Sequence, residues 1–141
     1  MTYLLDVNSL LALGVLDHEF HFRVASWLRL AARSGEPQLA TCSITELGFV
    51  RVLSQAQQYR LSVAQARELL LRLKNSAAVH WTFVSDGNDV SHLPAWAKGP
   101  KQITDGHLTE LAKANHAMLA TLDSRIPGAF MIPQAGRARS R

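Results

Sequence analysis

Three observations predict an α/β fold built as a three-layer α/β/α sandwich around a short, mainly parallel sheet. Short apolar runs at 3–5, 38–41, 80–84 and 117–122 have the length and residue types of buried strands. Between them lie stretches whose apolar residues recur at helical spacing, and this alternation argues parallel strands joined by helical crossovers that cover both faces. Acidic residues stand where the runs end, at the carboxyl edge where open α/β sheets place their ligands.

Taken in order, Tyr3-Leu4-Leu5 is the first strand, and Asp6-Val7-Asn8 leads into a short buried helix carrying Leu10, Leu11, Leu13 and Leu16. Asp6 and Asn8 have an ordinary structural explanation, because both are favoured N-caps. Asp17 is expected to cap a second helix over 18–33, with Phe20, Val24, Trp27, Leu28 and Ala31 inward, Arg23, Arg29 and Arg33 at other angles, and Gly35 as the stop. A strand over 38–41 follows. Ser43-Ile44-Thr45-Glu46 has the form of a capping box, which explains Glu46 structurally, and Leu47, Val50 and Leu53 mark the inner face of the helix it opens. Ser62-Val63-Ala64-Gln65 repeats the signature and starts a helix to Lys74, with Val63, Ala66, Leu70 and Leu73 inward and a basic outer face of Arg60, Arg67, Arg72 and Lys74.

His80 to Val84 is the third strand. Asp86-Gly87-Asn88-Asp89 is a turn and not a calcium loop, because Val90 stands where the alternate oxygen ligands would continue. Residues 91–102, with Pro94, Gly99 and Pro100, form a loop with one helical turn. Thr104 is expected to cap a helix ending at Asn115, with Asp105 in its first turn complementing the dipole and His107 on its surface. The run 117–122 is a buried strand ending at Asp123, and Phe130-Met131-Ile132 adds an edge strand before Pro133.

Length and composition bound the functions. A chain of 141 residues, 48% of them hydrophobic, makes one domain, expected over 1–133, followed by a basic tail over 134–141. The tail's three arginines account for most of the formal charge of +4, and such a tail fits a polyanionic partner. No export signal or membrane-length run is present, so the expected setting is cytoplasmic. The single cysteine, Cys42, excludes a disulfide or a cysteine-rich metal site and is expected to be a buried small hydrophobe.

Asp6, Glu46, Asp105 and Asp123 all map to the carboxyl edge of the one sheet. Each alone has a structural explanation, but four at one edge form a cluster. Two like charges about 4 Å apart repel by roughly 4 kcal/mol at an effective dielectric of 20. A divalent cation relieves that repulsion, and an all-oxygen set selects a hard ion, Mg²⁺ or Mn²⁺. Phosphodiester hydrolysis is the chemistry that most often uses such a cage.

The segments Leu4-Leu5-Asp6-Val7-Asn8 with Leu10-Leu11-Ala12-Leu13, Ala40-Thr41-Cys42-Ser43-Ile44-Thr45-Glu46-Leu47-Gly48-Phe49-Val50-Arg51-Val52-Leu53, Ile103-Thr104-Asp105-Gly106-His107-Leu108, and Leu119-Ala120-Thr121-Leu122-Asp123 give a more specific reading. With them the chain resembles a PIN-domain ribonuclease, specifically a VapC-type toxin of a toxin–antitoxin pair, over residues 3 to about 133. The resemblance implies a PIN-like fold and Mg²⁺-dependent endoribonuclease activity leaving a 5′-phosphate. It implies Asp6 and Asp105 as the residues most directly tied to the ion, with Glu46 and Asp123 completing its shell and Asn8 and Thr104 as supporting polar residues. It further implies a homodimer and a small antitoxin that blocks the acidic groove. Arg51, Lys98, Lys101 and Arg125 are the candidate RNA phosphate contacts. No histidine is assigned as a ligand or general base.

Two other readings compete. A haloacid-dehalogenase-type phosphatase also begins with an Asp ending a first strand, but needs a second Asp where this chain has Asn8, and leaves Glu46 without a role. A non-catalytic RNA- or partner-binding module on a PIN-like fold is marked by a lost acid, and all four are present.

Overall fold

The computed structural model describes residues 1–135, so Arg137, Arg139 and Arg141 of the tail lie outside the described residues. Five strands, β1 (Thr2–Leu5), β2 (Gln38–Cys42), β3 (His80–Val84), β4 (Ala117–Thr121) and β5 (Phe130–Met131), form one sheet in the order β3-β2-β1-β4-β5. Every pairing is parallel. From β1 the chain winds outward to β2 and β3, then returns to β4 and β5 on the other side. The strand order therefore reverses between β1 and β4, and a crevice opens there beyond the carboxyl ends.

Period-two alternation assigns the layers. Leu5, Leu39 and Ala120 face the core formed with α1 (Val7–Gly14), α2 (His21–Ala31), α3 (Ser43–Gln55) and α4 (Val63–Lys74). Their strand neighbours Leu4, Ala40 and Leu119 face the opposite core, closed by Leu108, Leu111 and Ala112 of α5 (Ile103–Ala114). Helices on both faces of one sheet make the expected three layers. Tyr3, Trp27 and Phe130 knit β1, α2 and β5 together, the first two edge to face at 5.1 Å. Among the described residues no helix is long and apolar enough to cross a membrane.

Several expectations are corrected locally. The second helix begins at His21 and not at 18, because 16–20 are spent on turns; its N-cap is Phe20, and Asp17 caps nothing. Arg23 is buried, not solvent-facing: its guanidinium donates to the Ile132 carbonyl from Nε at 3.0 Å and from Nη2 at 2.5 Å, tying α2 to the end of the sheet. Leu47 and Val63 are 62% and 58% exposed, because each sits near a helix start where the inward positions fall to its neighbours. Thr104 does not cap α5, since a 3-10 turn over Pro100–Gln102 runs directly into it and makes Gln102 the N-cap. Two such turns bracket the 91–102 loop where one was expected, the other running over Val90–His92. Cys42 is buried as expected.

Candidate acidic cleft at the carboxyl edge

Asp6 follows β1 and caps α1, its Oδ1 accepting the Ser9 N–H at 2.9 Å. The cap uses only half of the carboxylate. Its Oδ2 accepts the Thr121 hydroxyl at 2.6 Å, and Thr121 Oγ1 in turn accepts the Asp123 N–H at 3.0 Å. One hydrogen-bonded chain thus spans the ends of β1 and β4, where the strand order reverses. Both Asp6 and Thr121 are buried, so the Asp6 side chain is held in one rotamer by neutral donors.

Glu46 is placed by a different device. The capping box of α3 is formed by Cys42 and Thr45, whose Oγ1 accepts the Cys42 N–H at 3.0 Å, not by Ser43 and Glu46. Glu46 is thereby released from the capping role. Its Oε2 accepts the Thr41 hydroxyl at 2.5 Å and meets the Lys74 ammonium in an ion pair. Lys74, expected on the solvated face of α4, is the residue here that sequence reasoning missed. A lysine ending a helix has a ready explanation in the helix dipole, and no local signal announces a partner 28 positions away.

Asp105 lies in the first turn of α5 and is partly buried. Burial raises its pKa above the ordinary carboxylate value, and the charges of Asp6 and Asp123 raise it further against a smaller opposing effect of Arg125. Three aspartates therefore feel one another, and Asp105 has no side-chain hydrogen-bond or ion-pair partner among the described residues. Asp123 is turned to Arg125, which donates from Nε at 3.0 Å and Nη2 at 3.1 Å; these bonds hold its pKa below the usual range. Gly106 allows the preceding loop to close on this site, since a Cβ there would stand 3.0 Å from Ala97 Cβ and 3.1 Å from Pro94 Cδ.

That loop walls a recess of about 160 Å³ lined by Trp96, Lys101, Gln102, Asp105, Asp123 and Arg125. A second, wider recess on the other side of Asp123 and Arg125 includes Asn8. Lys101 and Arg125, two of the candidate phosphate contacts, thus line the same recess as Asp105 and Asp123. Lys98 and Arg51 are exposed and line neither recess, and Thr104 is exposed at the start of α5. His107 is not a plain surface residue: its Nε2 meets Asp86 Oδ2 at 2.5 Å, joining α5 to the loop after β3. A roomier concavity of about 570 Å³ lies at the amino ends of β1 and β2, but Glu36 is its only acid.

The donor set is carboxylate oxygen throughout, which suits a hard divalent cation, and the raised Asp105 marks negative charge that a cation would relieve. Among the described residues, however, no three His, Cys, Asp or Glu side chains are grouped closely enough to hold an ion as they stand. Two of the four acids are engaged by the chain's own cations, Glu46 by Lys74 and Asp123 by Arg125. The residues fit a cation by chemistry, and holding one with all four acids would require these side chains to turn.

The doubly wound parallel sheet with acids at its switch point makes this an α/β domain of the class that places its ligands at the carboxyl edge. Its fold is similar to that of Mycobacterium tuberculosis VapC20, described as a sarcin-ricin loop cleaving toxin, at TM-score 0.61 and 14% identity over 94% of this chain and 98% of that one. It is also similar to Rickettsia felis VapBC2, solved bound to a DNA fragment from its promoter, at TM-score 0.60 and 16% identity over 92% and 96% of the two chains. No protein-family model matches the chain. By sequence it is 35% identical over 133 residues to ribonuclease VapC38 of M. tuberculosis H37Rv, covering 93% of this chain and 89% of that protein. Ribonuclease VapC44 of the same strain is 37% identical over 129 residues, covering 89% of each. The chain belongs to the VapC ribonuclease family.

Proposed function

We propose that this protein is a metal-dependent endoribonuclease and the toxin of a toxin–antitoxin pair, acting through the cleft of Asp6, Glu46, Asp105 and Asp123. The observation that carries the proposal is the placement of Asp105, a partly buried carboxyl in one recess with Asp123 and with no side-chain partner among the described residues, whose pKa burial and the charges of Asp6 and Asp123 push up. Such an arrangement opposes folding and is suited to a cation or to chemistry.

Asp6 and Asp105 would hold Mg²⁺ or Mn²⁺, with Glu46 and Asp123 completing its surroundings. A bound ion supplies charge neutralisation at the phosphate and a more acidic water. The chain's own residues do the rest. Thr121 and the Ser9 N–H fix the Asp6 carboxylate, so it needs no reorganisation when substrate arrives. Lys101 and Arg125 stand beside the acids and are placed to contact phosphates flanking the scissile bond, while Asn8 borders the wider recess. Electrostatic anchoring of this kind grips any RNA backbone, and selection of a cleavage site rests on the shape of the exposed loop.

Partners follow from the same electrostatics and from relatives. The antitoxin is a small protein whose arginine or lysine enters the acidic cleft, consistent with VapBC2 being a complex. The family resemblance also supports a homodimer. Incubating purified, antitoxin-free protein with total RNA in Mg²⁺ or in EDTA, then mapping new 5′ ends, tests the activity. Cuts at few positions that require metal and carry 5′-phosphates are expected. RNA bound but intact under both conditions would replace this reading with a non-catalytic binding module.

A further inference from the structure

The four acids are not equivalent in what already satisfies them. Each Asp6 carboxylate oxygen accepts one neutral donor, and the Asp105 carboxylate accepts none among the described residues. Asp123 is paired with Arg125, whose side chain is 87% exposed and can release into solvent without losing a packed environment. Glu46 differs from all three. Its Oε2 carries both the Thr41 hydroxyl and the Lys74 ammonium, and the two side chains of the ion pair are only 21% and 24% exposed.

Lys74 is also held from a second side. Its Nζ lies 5.5 Å from the centroid of the Phe83 ring, within range of a favourable cation–π contact. Phe83 is on β3, which pairs with β2 through Thr41, so the element that supplies the hydroxyl to Glu46 also positions the ring behind the ammonium. An exposed ion pair is worth little and exchanges freely. This one is walled by a strand, a ring and two helices, and its carboxylate is one of the four acids at the carboxyl edge of the sheet.

Resting on the metal-dependent reading above, we infer that Lys74 is a resident counter-ion of Glu46 that competes with the divalent cation for that carboxylate. The cluster loads by exchange: Glu46 gives up the ammonium as it turns to the ion. Lys74 is thus a positioning residue. It holds Glu46 in place and partly neutralised in the metal-free protein, and it lowers the cluster's affinity for metal so that occupancy responds to cation supply.

The test is Mn²⁺ binding to RNA-free protein near neutral pH, read by calorimetry and by the free-ion electron paramagnetic resonance signal. Lys74→Met is expected to bind Mn²⁺ about tenfold more tightly, the scale of removing one partly buried competing cation. Lys74→Gln, which keeps the side chain's length, shows the same sign and serves should the first variant fold poorly. Lys74→Arg restores wild-type affinity. Arg67→Met, the same charge change at an exposed position of the same helix, alters binding less than about twofold, because solvent screens it. The gain from Lys74→Met disappears in a Glu46→Gln background, which a general charge effect would not do.

Unchanged or weaker binding in both Lys74 variants, with Glu46→Gln still weakening the wild type, overturns the inference and leaves the acidic cage standing. If neither Glu46→Gln nor Asp105→Asn weakens binding, the cage itself fails and the inference with it. A wild type with no measurable affinity supports the inference only if Lys74→Met acquires one, and overturns it otherwise.

Discussion

Thr121, the last residue of β4, donates its hydroxyl to Asp6 Oδ2 at 2.6 Å across 115 positions of sequence. Thr41 near the end of β2 does the same for Glu46 at 2.5 Å. In each case a buried strand-end threonine steers a carboxylate that follows a different strand or sits in the next helix, and the sheet's own register sets the spacing. Parallel pairing of Leu5 with Ala120 brings the Asp6 and Thr121 positions side by side. The site is therefore a product of strand register before it is a product of loop conformation.

Thr121→Val keeps the shape of the side chain and deletes the hydroxyl. Asp6 loses one of its two donors and the Asp123 N–H loses its acceptor. A hydrogen bond to a charged group contributes about 1.5–3 kcal/mol, so chemical denaturation of the metal-free protein should show a loss in that range. RNA cleavage should fall with it, since Asp6 is no longer held in one rotamer.

Gly48 is where α1 meets α3: a Cβ there would stand 2.6 Å from Cγ2 of Val7, the residue after Asp6. Val7 is branched at Cβ and cannot swing away as a long flexible side chain would. Gly48→Ala should destabilise by about 1–3 kcal/mol through overpacking and should reduce cleavage by shifting Asp6 relative to Glu46. Adding Val7→Ala should recover much of the stability, which thermal melts of the single and double variants will measure.

Arg23 tests the structure away from the cleft. Arg23→Met retains the apolar stem and removes the donors to the Ile132 carbonyl, so a stability loss of about 1.5–3 kcal/mol is expected. Faster amide hydrogen exchange around β5 should accompany it. Cleavage at a temperature where the variant stays folded should be unchanged.

Two carboxylates should give opposite pH dependences. Asp105 has a raised folded pKa, so the native state binds its proton more tightly, and its contribution to stability falls as pH rises from the unfolded value through the folded one. Metal-free Asp105→Asn should therefore gain on the wild type over that interval. Asp86 behaves in reverse. Burial raises its pKa, but the hydrogen bonds from His107 and the Asn88 N–H more than offset this and hold it low. Its stabilisation is present above the unfolded carboxylate pKa and is lost as pH falls through the folded one. Asp86→Asn should flatten the acid limb of the stability curve measured in EDTA.

Much of the fold is legible in the sequence. Strands were legible because each is a short apolar run whose neighbours point to opposite cores, as Leu4 and Leu5 do. The address of the four acids followed from strand ends and helix starts. What stayed hidden depended on competition between equally good local choices. Thr45 out-competes Glu46 for the α3 capping box, and a 3-10 turn takes from Thr104 the cap that its sequence offers. Lys74 and Arg23 have the local pattern of solvated helix cations, and only the packing of distant elements gives each its acceptor away from open solvent.

The most direct test is RNA cleavage in Mg²⁺ by wild type and Asp105→Asn, with circular dichroism confirming that both are folded. Among the described residues Asp105 has no side-chain partner to lose, so the variant is expected to be at least as stable as the wild type and to cut no RNA above the EDTA control. Full cleavage by folded Asp105→Asn would contradict the acidic-cleft mechanism at its centre.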